Sequence, residues 1–162
     1  MIRKLSDEKE MVEFTIKCTE LRNTDTLGKS DPRCLVKLKD REGRPQIIGS
    51  TECIENTLNP VFSKIIKLEK NSDFKQVLQF IVEDSDAGDK YEFIGSIEVD
   101  LDALIGAPAG EWTGSLKHSD NPKNGDIHIK TRVLQNDPIV YHIDLKCMDV
   151  ADIETFSKVT LT

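Results

Sequence analysis

Residues 84–95 read D-S-D-A-G-D-K-Y-E-F-I-G and follow the apolar run at 78–82. Four carboxylates fall within nine residues of this stretch: Asp84, Asp86, Asp89 and Glu92. Carboxylates at this density repel one another, and a folded loop tolerates them when a hard cation offsets the repulsion. The stretch offers oxygen ligands and neither thiolate nor imidazole, which favours Ca²⁺ over zinc or copper.

A second acidic turn lies earlier in the chain, at 25–32 (D-T-L-G-K-S-D-P), and contributes two further carboxylates. We expect the two loops to meet in space and share calcium. An EF-hand does not fit the later loop: counted from Asp84, the sixth residue is Asp89 where that loop requires Gly. Its twelfth residue is Gly95 where an EF-hand has Glu.

The composition indicates one folded domain, since 162 residues with 38% hydrophobic and 31% charged residues can bury a substantial core. A net charge of −7 argues against nucleic-acid binding through a broad positive surface. No apolar run approaches the roughly 20 residues of a membrane-spanning helix, and residues 1–10 are charged, unlike a signal peptide. We therefore expect a cytoplasmic protein whose four cysteines are reduced and mostly buried.

Alternation of apolar and polar residues predicts a series of short strands. In residues 11–21, for example, Val12, Phe14 and Ile16 point one way and Glu13 and Thr15 the other. Strands are predicted at 11–21, 34–39, 46–54, 61–68, 75–83, 93–101, 111–116, 126–134 and 139–147, with one helical turn at 102–105. Many short strands with turn signals between them indicate an all-β antiparallel sandwich or barrel.

Several motifs follow one another along the chain. Asp25 is followed by S-D-P at 30–32, then by T-L-N-P-V-F at 57–62, by D-S-D at 84–86, and by E-F-I-G at 92–95. The pair E-W at 111–112 and the late strand G-D-I-H-I at 125–129 complete the series. In this order the motifs resemble those of a C2 domain, the calcium- and phospholipid-binding β-sandwich. The resemblance implies an eight-stranded antiparallel β-sandwich, the C2 Greek key of type II topology, over residues 8–136, most like the first C2 domain of a copine-type tandem.

The resemblance also implies a ligand set for two or three Ca²⁺ ions. The implied metal ligands are Asp25, Asp31, Asp84, Asp86 and Glu92, with Asp89 as a supplementary oxygen ligand. Glu92 departs from the family pattern, which more often has Asp at that position. The implied function is calcium-dependent binding to anionic phospholipid membranes, phosphatidylserine in particular, by a membrane-targeting switch that is recruited when calcium rises.

The implied membrane-contact residues are those at the two loop tips: Thr26, Leu27, Ala87 and Gly88. Among these Leu27 is the one large apolar side chain. The strand that carries lysines in phosphoinositide-binding members reads I-I-G-S-T-E-C-I-E at 47–55, so that function is not carried over. No nucleophile or phosphate-loop motif is present in the sequence, and we expect no enzyme activity.

The tail at 137–162 allows two interpretations. It resembles the start of a second, truncated C2 domain, or it is an added edge strand of the first. Two alternative functions also stay open: a calcium-independent module that binds protein partners, and the targeting fragment of a larger signalling enzyme.

Overall fold

Eight antiparallel strands in two four-stranded sheets form the part of the chain that the computed structural model describes, residues 9–135. The tail at 137–162, with the strand predicted at 139–147, lies outside the described residues. The strands are β1 (Met11–Thr19), β2 (Pro32–Lys39), β3 (Pro45–Ser50), β4 (Ile66–Glu69), β5 (Val77–Asp86), β6 (Lys90–Asp100), β7 (Glu111–Ser115) and β8 (Asp126–Leu134). A short helix, α1 (Leu101–Ile105), and a 3₁₀ turn at Pro108–Gly110 lie between β6 and β7.

The two sheets have the strand orders β4-β1-β8-β7 and β3-β2-β5-β6. Their inner faces carry the apolar half of each alternating strand, because successive side chains on a strand point to opposite sides. Phe14 of the first sheet meets Phe80 of the second edge to face, with ring centroids 6.4 Å apart and an interplanar angle of 85°. This arrangement confirms the predicted all-β sandwich.

Four predicted strands are shorter than the pattern indicated, and two of them differ by three residues or more. The strand predicted at 61–68 begins at Ile66, because the backbone N–H groups of Ser63 and Lys64 donate to the Glu52 carboxylate instead of to a neighbouring strand. The strand predicted at 46–54 ends at Ser50. Beyond it the Thr51 hydroxyl, and no longer a backbone carbonyl, accepts the hydrogen bond of the Cys34 N–H at 2.8 Å.

The acidic loops meet because β2 pairs antiparallel with β5. Pro32, the first residue of β2, lies opposite Asp84 near the end of β5. The β1–β2 connection at 20–31 therefore reaches the same end of the sandwich as the turn between β5 and β6. The prediction that residues 84–92 form a loop is wrong: β5 continues to Asp86, β6 begins at Lys90, and three residues form the turn.

None of the helices in residues 9–135 is long and apolar enough to cross a membrane.

Candidate calcium site

The candidate ligands come from three segments at one end of the sandwich. Asp25 and Asp31 lie in the connection between β1 and β2, and Asp84 and Asp86 end β5. Glu92 lies in β6 directly opposite Asp84, so the longer side chain faces the same region as the aspartates. The five carboxylates that the sequence predicted as main ligands are thus brought to one end of the fold.

Asp84 forms the floor of this cluster. Asp84 is only 1% exposed, and both of its carboxylate oxygens accept hydrogen bonds. Oδ1 accepts the backbone N–H of Asp31 at 2.6 Å, and Oδ2 accepts the Thr24 hydroxyl. Burial alone would raise the pKa of Asp84, but hydrogen bonds from Thr24, Ser30 and nearby backbone N–H groups hold it below its usual value. Asp84 is therefore negatively charged at neutral pH.

Asp25 experiences the charges of the whole cluster. Its pKa is raised, first by burial and then by the negative charges of Asp84, Asp31, Asp86 and Glu92. Because each of these carboxylates acts on the same group, their electric fields overlap at Asp25. Asp89 stands beyond them, at the exposed tip of the β5–β6 hairpin, in left-handed backbone with φ 57°.

As placed, no three or more carboxylate, imidazole or thiol side chains within the described part of the chain are close enough together to hold a metal ion. The donor set nevertheless fits Ca²⁺ in its chemistry. The ligands on offer are carboxylate oxygens with overlapping negative fields, and Ca²⁺ accepts six to eight such oxygens in flexible geometry. Glu92 and Asp86 are exposed, so their side chains are free to move toward a cation.

Sequence reasoning missed the residues that hold the first loop in shape. The Asn23 amide accepts the backbone N–H of Ser30 at 3.0 Å and donates to the carbonyl of Gly28 at 2.8 Å. Asn56, in the loop between β3 and β4, donates its backbone N–H to Asp31 Oδ1 at 2.6 Å. Asn residues in turns are so common that the sequence carries no signal to separate these two from the rest.

The predicted membrane-contact residues all lie at the outer surface of this end. Leu27 is 92% exposed, the highest value among the exposed large hydrophobic residues, and Thr26 beside it is exposed as well. Ala87 and Gly88 form the exposed tip of the β5–β6 hairpin, where Gly88 has the left-handed φ of 84° that the tight turn requires.

Comparison with known families identifies the family to which this fold belongs. The family model described as "C2 domain" matches residues 10–114. The chain belongs to the C2 domain family.

Among curated proteins the chain is similar to copines of Dictyostelium discoideum. It is 42% identical to Copine-A over 97 residues, which is 60% of this chain and 16% of the relative. It is 35% identical to Copine-E over 130 residues, which is 76% of this chain and 22% of the relative. The chain therefore spans about a fifth of the length of these curated relatives.

Solved structures share the fold at low sequence identity. A C2 domain of plant extended synaptotagmin 1 is 20% identical with a TM-score of 0.64, covering 77% of this chain and 93% of that one. The calcium-bound pair of C2 domains from extended synaptotagmin 2 is 23% identical with a TM-score of 0.62, covering 77% of this chain and 45% of that one.

Proposed function

We propose that the domain at 8–136 binds anionic phospholipid membranes in a calcium-dependent manner and acts as a membrane-targeting switch. The observation that carries the proposal is the pairing of β2 with β5 and of β5 with β6, which brings five carboxylates from three segments to one end of the sandwich. A further support is that a protein of the same fold, extended synaptotagmin 2, has been solved with calcium bound. The protein would reside in the cytoplasm and move to membranes when calcium rises, with phosphatidylserine as the expected lipid.

The residues that would hold two or three Ca²⁺ ions are Asp25, Asp31, Asp86 and Glu92 above Asp84, with Asp89 as a supplementary ligand. Bound Ca²⁺ supplies positive charge, and it leaves coordination positions that phosphate or carboxylate oxygens of lipid headgroups can fill. The carboxylates themselves repel an anionic membrane, so this end of the fold stays away from lipid until their charge is offset. Leu27 then adds a small apolar contact at the tip.

The mutations that test the site should spare Asp84, because its buried carboxylate also joins the first loop to β5. The test variant combines Asp25→Asn with Asp86→Asn. The control variant combines Asp73→Asn with Asp102→Asn, which removes the same charge from two exposed residues at the other end of the sandwich, one in the β4–β5 loop and one in α1.

The measurement is co-sedimentation with phosphatidylserine-containing vesicles, in calcium and in a chelator. We expect the wild type and the control to pellet in calcium alone. The test variant should need at least about tenfold more calcium, since it loses two anionic ligands. Equal calcium dependence of test and control variants would show that the site is misplaced. Pelleting of the wild type in neither condition would favour the calcium-independent protein-binding module instead.

A further inference from the structure

The first acidic loop is held by two asparagines from different parts of the chain. Asn23 precedes the loop, and its Oδ1 accepts three hydrogen bonds: from the N–H of Ser30 at 3.0 Å, the Ser30 hydroxyl at 3.2 Å and the N–H of Asp25 at 3.3 Å. Its Nδ2 donates to the carbonyl of Gly28. One amide thus ties together both arms of the loop that presents Asp25 and Asp31.

Asn56 holds the same loop from the outside. Its side-chain oxygen accepts the backbone N–H of Lys29 at 2.9 Å, while its own N–H donates to Asp31 Oδ1 at 2.6 Å. The residue adopts a left-handed φ of 53°, which asparagine tolerates better than most residues. The neighbouring Thr57 N–H adds a bond to the Ser30 carbonyl at 3.0 Å. The loop between β3 and β4 therefore clamps Asp31 in place.

We propose that Asn23 and Asn56 are positioning residues, which hold Asp25 and Asp31 in the arrangement that cation binding requires. The inference rests on the proposed calcium binding of this site. Ordering an irregular connection costs conformational entropy for every residue that is fixed. Because these side chains order the loop when the protein folds, that cost does not arise again when a cation binds.

Asn23→Ala removes the Oδ1 and Nδ2 hydrogen bonds while leaving every carboxylate of the cluster in the sequence. Asn56→Gly keeps the left-handed backbone and the N–H that reaches Asp31, and it removes the bond to Lys29 alone. Loss of groups that orient metal ligands typically weakens metal affinity about 10- to 100-fold. We expect Asn23→Ala to fall in that range and Asn56→Gly to weaken affinity by a smaller factor.

Asn71→Ala provides a matched control. Asn71 is an exposed asparagine whose Oδ1 caps a turn by accepting the N–H of Asp73 at 2.8 Å, in the loop between β4 and β5 at the opposite end of the sandwich. Its removal costs local stability of the same kind but should not change calcium affinity. Asn71→Ala therefore shows whether loss of a turn asparagine alone, away from the candidate ligands, is enough to change calcium affinity.

The test uses the full 162-residue chain and Ca²⁺ alone, without lipid. Calcium affinity is measured by titration calorimetry well below the unfolding temperature, and the rise in unfolding temperature on adding calcium is measured in parallel. Reduced affinity in Asn23→Ala and Asn56→Gly, with wild-type affinity in Asn71→Ala, supports the inference. Should Asn23→Ala fail to fold, Asn56→Gly carries the test.

Two negative results have different meanings. If the wild type binds calcium and both loop variants bind it equally well, the positioning role is refuted while the proposed function stands. If the wild type itself shows neither binding heat nor a shift in unfolding temperature, the proposed calcium site fails, and the positioning role fails with it.

Discussion

The Glu52 carboxylate accepts three hydrogen bonds from the segment that precedes β4. Its Oε1 accepts the backbone N–H of Ser63 and the Ser63 hydroxyl, the latter at 2.8 Å, and its Oε2 accepts the N–H of Lys64 at 3.1 Å. Burial acts to raise the pKa of Glu52, but these hydrogen bonds outweigh burial and lower it from 4.5 to about 2. The charged form is therefore bound more strongly in the folded state.

Replacing Glu52 by Gln should lower the free energy of unfolding by about 1–2 kcal/mol at neutral pH, because the bonds lose charge assistance and one acceptor becomes a donor. The measurement is urea unfolding followed by Trp112 fluorescence. Glu55→Gln, which removes the same charge from an exposed residue three positions on, serves as the control. Equal stability of the two variants would rule out the contribution of this carboxylate.

The pH dependence of Glu52 has a definite sign. Since its folded pKa lies below the unfolded one, its contribution is fully present above about pH 4.5 and is lost as the pH falls toward 2. The stability difference between wild type and Glu52→Gln should therefore shrink over this interval. A difference that stays constant down to pH 2 would contradict the assignment.

At the residue scale, the sequence predicts the carboxylates of the candidate site better than it predicts the residues that hold them in place through hydrogen bonds. The five carboxylates that meet at one end of the fold could be singled out because carboxylates crowd into two short stretches bounded by apolar runs. Thr24 and Asn56 could not, since their partners lie far away in the chain: Asp84 is 60 positions from Thr24, and Asp31 is 25 positions from Asn56. The partners of Asn23 lie within seven positions, but an asparagine in a turn is too common for the sequence to single it out.

Among the secondary-structure elements, α1 is the short helix between β6 and β7, and its Leu104 is completely buried in the core. Leu104→Ala should lower the free energy of unfolding by about 2–5 kcal/mol, the usual effect of a cavity in a packed core. Ala103→Ser, on the exposed side of the same helix, should change it by less than about 0.5 kcal/mol. Urea titrations of both variants provide the comparison, and a loss below about 1 kcal/mol for Leu104→Ala would mean that α1 does not close the core.

The alternation of apolar and polar residues predicted which segments form strands, but it did not predict where most of those strands end. The bounds of β8 agree with the prediction, and its buried and less buried residues alternate from Asp126 to Arg132. The turn between β5 and β6 was predicted too long, since the polar residues 84–86 and 90–92 looked like loop but pair across the hairpin. Polar residues at the end of a strand are compatible with pairing when their side chains face solvent or a site.

At the scale of the whole molecule, one buried cysteine lies in each sheet. Cys18 in β1 is 1% exposed and Cys34 in β2 is 0% exposed, whereas Cys53 in the loop after β3 is exposed. Burial raises the pKa of Cys18 to about 12, and burial with the nearby Cys18 raises that of Cys34. The thiolate is the reactive form of cysteine. In the folded sandwich both thiols are therefore unreactive for two reasons: reagents cannot reach them, and their raised pKa keeps them protonated.

Thiol labelling should therefore report opening of the whole sandwich. In a Cys147→Ser background, which removes the cysteine outside the described residues, iodoacetamide should modify Cys53 alone under native conditions. Cys53 itself should react more slowly than the thiol of an unfolded chain, because partial desolvation of its sulfur raises its pKa and its Sγ–H donates to the Asp31 carbonyl at 3.1 Å. Peptide mass mapping identifies the modified residue, and Cys53→Ser should abolish native labelling.

Cys18 and Cys34 should become labelled together, at rates that increase with urea as the equilibrium population of unfolded chain increases. This result is expected because the two thiols face one shared core, so neither sheet can expose its cysteine without separating from the other. If one of the two is labelled in the absence of urea, at a rate that urea does not change, the sheets open separately. The sandwich would then not unfold as a single cooperative unit.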